Sequence, residues 1–489
     1  MSRALEDLAF PNREPDHILR SDLTTTNGPQ VGWVHLYFPQ RESEPVFFEV
    51  LGDAKTFSLD DSSLWTKFNA AGPLALDGRG RIVAEVPRYA WLERSSRPLG
   101  PGQSLTRLRG VAYELSLQRD YSYVAGDKER GSAEAGRTVT YRLSGNQHLA
   151  PSTPWTHHFD GQRTFRRKNC VQVSLGTCDT LTFDTHYSWF DDPENGSYSA
   201  RLVAIHRSQT NAALPIGIDP RVEDAVLLLS FLTATRTLIS GASTWDDDQQ
   251  YEYFQPRFGF PDDARTGPFR YGLVALNRLE QCFATAWTQW QSSPNVAHLR
   301  NAIYALLPGT NVATLLSFQR CYGALERLVK AYSPSEVNCR GATSSSPIAA
   351  NLRRLRSRIA DDEEAEVIES LDAAINKFSE PTFRDRFSGF RSHWKIPLDD
   401  LWPMFAIRSG LTFLRNRIAH GATFEESEEA EFSLWIAQQH LEFTLGRVIC
   451  AILDIQLDDT ELAPNKHATD LTMFTKFSAA IETVKNRGS

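Results

Sequence analysis

The chain has 489 residues, 41% of them hydrophobic and 23% charged, with a formal net charge of -8. That length excludes a single hydrophobic core and favours two or three domains. The composition is that of an ordinary globular protein, and the acidic balance argues against a general nucleic-acid coat while leaving room for a local basic groove.

The N-terminus, Met1 to His17, is acidic and contains proline, so it lacks the basic-then-apolar pattern of a signal peptide. The next two hundred residues read as β. Val31–Phe38 and Val46–Leu51 are β-rich runs. Further strands are expected at Arg81–Val86, Val139–Leu143, Val171–Leu175, Leu181–Thr185 and Ala200–Ile205. Gly, Pro, Asn and Asp clusters between them suggest a sandwich-like or barrel-like domain over residues 1–212. Near Pro215 the character changes. Asp219 is an N-cap with Pro220 at the first helical position, and a helix is expected to run to about Ser240, where Gly241 ends it. Its apolar stretch, Ala225–Ile239, carries Ser230, Thr233, Thr235 and Arg236 and is too short and polar to span a bilayer.

Beyond a loop rich in Asp, Gly and Pro, helices are predicted at 273–291, 294–306, 311–332, 348–359, 362–378, 398–419 and 424–453. Residues 213–304 read as a helical connection and 305–489 as a helical domain, so the fold class is α+β and multidomain. Ser333–Pro347, rich in Ser with Gly and Pro, reads as a flexible joint. Six cysteines, at 170, 178, 282, 321, 339 and 450, form no C-x-x-C pair. That usage disfavours a zinc knuckle and suits a reducing cytoplasm.

The stretch that carries chemistry is Leu414-Arg415-Asn416-Arg417-Ile418-Ala419-His420-Gly421. Ile407, Leu411, Leu414 and Ile418 make one apolar stripe on its helix. Trp402, Phe405, Ser409, Phe413, Asn416 and His420 fall on the opposite side, a second face suited to burial against another helix or a partner. Gly421 stops the helix, and Thr423 with Glu426 forms a capping box for the next one. Asn416 and His420, four apart, share a face, and a helix C-terminus favours a protonated imidazole. An imidazole can shuttle a proton between a 2′-hydroxyl and a leaving 5′-oxygen. A guanidinium can hold the phosphate and an amide can orient both. Arg201 to His206 has the same spacing but falls on an expected strand and lacks the Asn.

These residues resemble the Arg-x(4–6)-His signature of HEPN-domain ribonucleases, in the variant with Asn after Arg. The preceding helices are similar to the ApeA-like branch of abortive-infection proteins, with Ala324-Leu325-Glu326-Arg327-Leu328 matching an early helix; the likeness covers roughly residues 305–457. The resemblance implies a cytoplasmic endoribonuclease without metal or other cofactor, leaving 2′,3′-cyclic phosphate ends. It implies pairing of two HEPN domains in a homodimer, anti-phage defence, and host or phage RNA, tRNA included, as target. It also implies a β-rich half that senses a trigger or restrains activity, and no membrane. By residue-wise transfer Arg415, Asn416 and His420 are catalytic, and Glu326 orients the arginine; a plain surface acid is the other reading of Glu326.

Two basic stretches suit a phosphate backbone with stacked bases. They are Arg353, Arg354, Arg356 and Arg358, and the aromatic-interleaved Arg384, Arg386, Phe387, Arg391, His393, Trp394 and Lys395. Solvated helix faces are the plain alternative. His157, His158 and Asp160, the Asp246–Asp248 loop and the basic loop Arg163–Lys168 read as turns rather than sites. Two rival readings remain: a HEPN domain acting only as an RNA-binding or protein-interaction module, and a ligand-binding β domain with the helices as scaffold.

Overall fold

In the computed structural model the chain divides into two compact units, residues 1–230 with 235–264, and residues 231–234 with 265–489. Residues 213–304, read above as a connection, are divided between them. The structure describes residues 10–25, 28–38, 45–53, 69–73, 81–101, 103–120, 137–145, 149, 155–157, 163–165, 171–190, 197–208, 218–246, 249–254, 272–307, 314–334, 347–358, 365–379, 382–406, 410–419 and 428–464. The fold combines a large antiparallel sheet with helices.

The first unit is built on strands β1 (His17–Thr25), β2 (Gly28–Tyr37), β3 (Val46–Asp53), β4 (Asn69–Pro73), β5 (Arg81–Gly100), β6 (Gln103–Asp120) and β7 (Arg137–Ser144). A small separate pair, β8 (Trp155–His157) and β9 (Arg163–Phe165), follows, and then β10 (Val171–Ser174), β11 (Asp179–Phe190) and β12 (Ser197–Ser208). The last two are β13 (Leu238–Asp246) and β14 (Gln249–Phe254). Twelve strands form one sheet in the order β10-β11-β12-β7-β13-β14-β6-β3-β2-β1-β4-β5, and β5 also pairs with β6. The run from β6 through β3, β2, β1 and β4 to β5 therefore closes on itself, so of the two expected forms, sandwich-like or barrel-like, the structure has one continuous sheet with a barrel-like ring. Closing a ring removes edge strands.

Period-two burial produces these strands. In β7, Val139, Tyr141 and Leu143 are buried and alternate with less buried neighbours. β3 is buried on both faces. Phe48 pairs with Leu36 and Gly110 on one side, while Phe47 joins Tyr37, Val111, Phe10 and Leu92 on the other. Gly110 is required there: a Cβ would overlap the Phe48 ring and meet the Ala90 carbonyl at 2.9 Å. Glu49, buried on the same strand, accepts from Arg109 at 3.0 Å and lies 3.1 Å from Arg107 and 3.2 Å from His35. Burial pushes its carboxyl up, but these partners outweigh it and hold it below its ordinary value.

Helix α1 (Pro220–Thr233) starts as expected, with the Asp219 carboxylate accepting from the Arg221 amide at 2.8 Å. It ends seven residues before the expected Ser240. Ala234 takes a left-handed φ of 48°, and the chain then enters β13, in which Gly241 is a strand residue rather than a helix stop. An apolar run such as Ala225–Ile239 does not by itself distinguish buried helix from buried strand.

The second unit is helical: α2 (Leu279–Ser292), α3 (Val296–Leu306), α4 (Thr314–Tyr332), α5 (Pro347–Arg356), α6 (Ala365–Ser379), α7 (Phe383–Trp394), α8 (Leu411–Ala419) and α9 (Glu428–Ile452). Among the described residues no helix is long and apolar enough to cross a membrane. α4 is central and packs against α3, α7, α8 and α9. Its stripe of Phe318, Cys321, Tyr322, Leu325, Leu328 and Val329 recurs at helical spacing and is buried. Each large apolar member contributes roughly 1.5–3 kcal/mol.

Two helix predictions fail. α7 has no counterpart among the predicted helices, although Thr382 and Asp385 cap it reciprocally. The helix expected over 398–419 begins only at Leu411. Residues 398–406 instead form turns around Pro403, which has no N–H to donate. The turn closes through the Gly410, Leu411 and Thr412 amides, which bond to Ala406, Pro403 and Met404 carbonyls at 3.0–3.1 Å. A Cβ on Gly410 would come within 2.7 Å of the Met404 oxygen.

Candidate functional site

Two helices build the corner that the sequence singles out. On α4, Tyr322 and Glu326 are one turn apart and so share a face. On α8, Leu411, Leu414 and Ile418 anchor the helix inward, and Thr412, Arg415 and Asn416 come round to its other side. The Tyr322 hydroxyl and Thr412 Oγ1 lie 2.8 Å apart and tie the helices together. Arg415 then spans the gap. Its Nη2 donates to Glu326 Oε2 at 3.3 Å, its Nη1 to Asn416 Oδ1 at 3.1 Å, and its Cζ sits 5.5 Å from the centre of the Tyr322 ring.

The structure thus brings together three of the four residues expected to be catalytic: Glu326, Arg415 and Asn416. The fourth, His420, lies outside the described residues, directly after Ala419, as do Gly421 and the expected capping box of Thr423 and Glu426. The two residues missed at the corner are Tyr322 and Thr412. Tyr322 sits within the apolar stripe of α4 and reads there as core, while Thr412 carries no motif.

The electrostatics are those of a half-open site. Arg415 and Glu326 side chains are 38% and 33% exposed. At that exposure an ion pair contributes at most about 1 kcal/mol to stability. Tyr322, by contrast, is buried, and burial together with the nearby Glu326 charge pushes its hydroxyl up to about 12. It stays neutral and serves as a hydrogen-bonding partner of Thr412 and a platform for Arg415. The Arg415 guanidinium is reachable from solvent and held in a fixed direction. Such a guanidinium can receive a phosphate oxygen.

The expected RNA-contacting residues fall on two helices. Arg353 and Arg354 are exposed on α5, where the neighbouring Arg356 pairs with Asp372 of α6 at 3.3 Å. On α7, Arg384 is exposed, with its Cζ 5.9 Å from the Phe405 ring, and Arg386 is half-buried. Arg391 and Trp394 carry internal bonds. Arg391 donates to the Ile396 carbonyl at 3.1 Å and to Asp399 at 2.7 Å, closing the helix end, and the Trp394 indole donates to the Tyr332 carbonyl at 3.4 Å. The side chains of His157, His158, Asp160 and the Arg163–Lys168 loop lie outside the described ones, as do Asp247 and Asp248. His206, the histidine of the second Arg–His spacing, is fully buried on β12, 3.9 Å from both Asp179 and Asp219.

A cavity of about 600 Å3 lies beside the corner, between α7 and the 398–406 turns. Ring contacts of 5.6–5.8 Å run from Tyr322 through Phe383 to Phe387 and Phe405, both of which line it. Set against known proteins, the chain matches no family model, no curated protein and no solved structure.

Proposed function

We propose that the helical unit is a metal-independent endoribonuclease of the HEPN type, working in the cytoplasm in anti-phage defence. The observation that carries this reading is the fixed, solvent-reachable Arg415, braced by Glu326 and Tyr322 and adjoined by Asn416, with His420 following five residues later in the sequence. Arg415 would bind the scissile phosphate and offset charge growing on its oxygens. His420 would take the proton of the 2′-hydroxyl. The 2′-oxygen then bonds to phosphorus as the bond to the 5′-oxygen breaks, and the departing oxygen takes up a proton. The products are a 2′,3′-cyclic phosphate and a 5′-hydroxyl. Two copies would pair through this unit, and the β-rich unit would answer a phage-derived trigger. Arg353, Arg354, Arg384 and Arg386 would track the RNA backbone.

The test is to sequence RNA ends after expressing the full chain and its Arg415→Ala and His420→Ala variants. New 5′-hydroxyl and cyclic-phosphate ends are expected with the unaltered chain and lost in both variants. Glu326, as a positioning residue, has a distinct signature: Glu326→Gln is expected to lower kcat about tenfold or more with little change in KM. Identical ends from all chains, with folding intact by circular dichroism, would overturn the nuclease. Retained RNA binding in that case would favour a non-catalytic module.

A further inference from the structure

The cavity beside α7 is lined by groups of different chemistry. Phe387, Trp402 and Phe405 supply aromatic surface, Ser388 supplies a hydroxyl, and Arg384 and Arg391 supply cations. The two cations are not equivalent. Arg391 is matched by Asp399 at 2.7 Å. Arg384 is exposed, and its contact is the Phe405 ring; no carboxylate among the described residues pairs with it. Among the described residues the cavity therefore keeps one positive charge without a carboxylate partner, 5.9 Å from the centre of an aromatic ring.

Both walls are built rigidly. α7 is capped by the reciprocal Thr382–Asp385 bonds and closed by Lys395 in the left-handed region. The opposite wall is fixed by Arg447, fully buried on α9, which donates to the Asp400 carboxylate and to the Pro397 carbonyl at 2.7 Å. Phe405 itself is clamped at steep angles, 61° against Phe383 and 71° against Phe387. A preformed space of this size suits a ligand of a few hundred daltons, and its rigidity spares the cost of ordering it on binding.

From this we infer that the cavity takes one nucleotide, its base against Phe405 and Trp402 and its phosphate on Arg384. Stacking on aromatic rings accepts any base, and a guanidinium is the natural partner of phosphate. The Ser388 hydroxyl can donate to or accept from a base edge. A plain apolar ligand would leave Arg384 unused, and a bare anion would leave the aromatic surface unused. The run of packed rings from Phe405 through Phe383 to Tyr322 ends under Arg415, so the cavity wall and the corner are joined by direct ring contacts. As a substrate subsite the cavity rests on the nuclease reading; as a nucleotide site it does not.

The experiment uses the full chain and a short fluorescein-labelled RNA methylated at every 2′-oxygen, which binds but offers no attacking hydroxyl. Fluorescence anisotropy is followed for the unaltered chain, for Arg384→Ala, and for Ser388→Trp, which fills the cavity. Both variants are expected to weaken binding at least about tenfold, the loss of a charge-assisted contact or of the space itself. Arg384 is exposed, so its variant folds even if the tryptophan is not accommodated. Competition with adenosine and uridine monophosphates separates the sources: displacement means a free nucleotide suffices, and none means that the phosphodiester chain on both sides is needed. Equal binding by all three chains, or no binding of either probe by the unaltered chain, overturns the proposal. A chain that binds this RNA but cuts no unmodified RNA keeps the cavity and removes the nuclease. Unchanged cleavage kinetics in Ser388→Trp keeps the nuclease and removes the cavity as its subsite.

Discussion

Glu442 places a carboxyl where an ion is costly. It sits on α9 against α4, 2% exposed, and accepts from the Gln438 amide at 2.8 Å; the same amide also donates to Ser317 Oγ. Burial pushes it from 4.5 up to about 7, only partly countered by the Gln438 bond. The folded state thus prefers the protonated form. The associated stability is fully present below pH 4.5 and is lost as pH rises through about 7. Above that the fold carries an ionised group at a cost of about 3 kcal/mol, the free-energy equivalent of the displacement. Glu442→Gln keeps an oxygen to accept from Gln438 and removes the ionisation. Urea unfolding of the helical unit, followed by tryptophan fluorescence, should show the two chains nearly equal at pH 4. At pH 8 the variant should be more stable by up to about 3 kcal/mol. Parallel pH profiles, or a variant weaker than the parent at pH 8, would refute the buried-ion reasoning.

Other perturbations probe the two units separately. Gly110→Ala should destabilise the β unit by about 1–3 kcal/mol, because its Cβ overlaps the Phe48 ring; adding Phe48→Leu should recover part of the loss, and an unchanged midpoint for the single variant would contradict the packing. Arg447→Ala should cost the helical unit about 3–5 kcal/mol by urea midpoint, since it removes both Arg447 bonds to Asp400 and those to the Pro397 and Leu462 carbonyls; a loss under about 1 kcal/mol would show that the bridge does not hold the 398–406 turns.

What the sequence made legible follows periodicity and caps. The stripe Leu411, Leu414, Ile418 is where its spacing puts it, buried, and Asp219 with Pro220 starts a helix. Residues Val46–Leu51 read as strand and lie in one, Val46–Asp53. The failures have physical causes. α7 hides because Phe383, Phe387 and Phe390 are its apolar ridge within an otherwise charged and polar segment; only the Thr382-x-x-Asp385 cap announces it. β6 escapes because it is paired on both edges, so its burial is set by neighbours distant in sequence, such as Val50 against Leu108. The Glu326–Arg415 contact joins residues 89 apart. The acid is legible as a member of α4, but its contact depends on how α4 and α8 cross, and no local pattern encodes that.

Three arginines of the helical unit show why folding and chemistry should separate in this protein. Arg447 is fully buried, with every side of its guanidinium committed to Asp400, Pro397 and Leu462. Desolvating it has to be offset by those bonds, so it belongs to the fold. Arg384 is exposed and, among the described residues, its contact is a ring, so the fold gives up little without it, and its charge is available to a ligand. Arg415 lies between these extremes. Glu326, Asn416 and Tyr322 fix its direction, yet a 38% exposed pair returns too little stability to explain three partners on one side chain. Orientation held at small energetic gain is what a phosphate-binding group needs, since the geometry is then set before substrate arrives and no reorganisation is left for the reaction step.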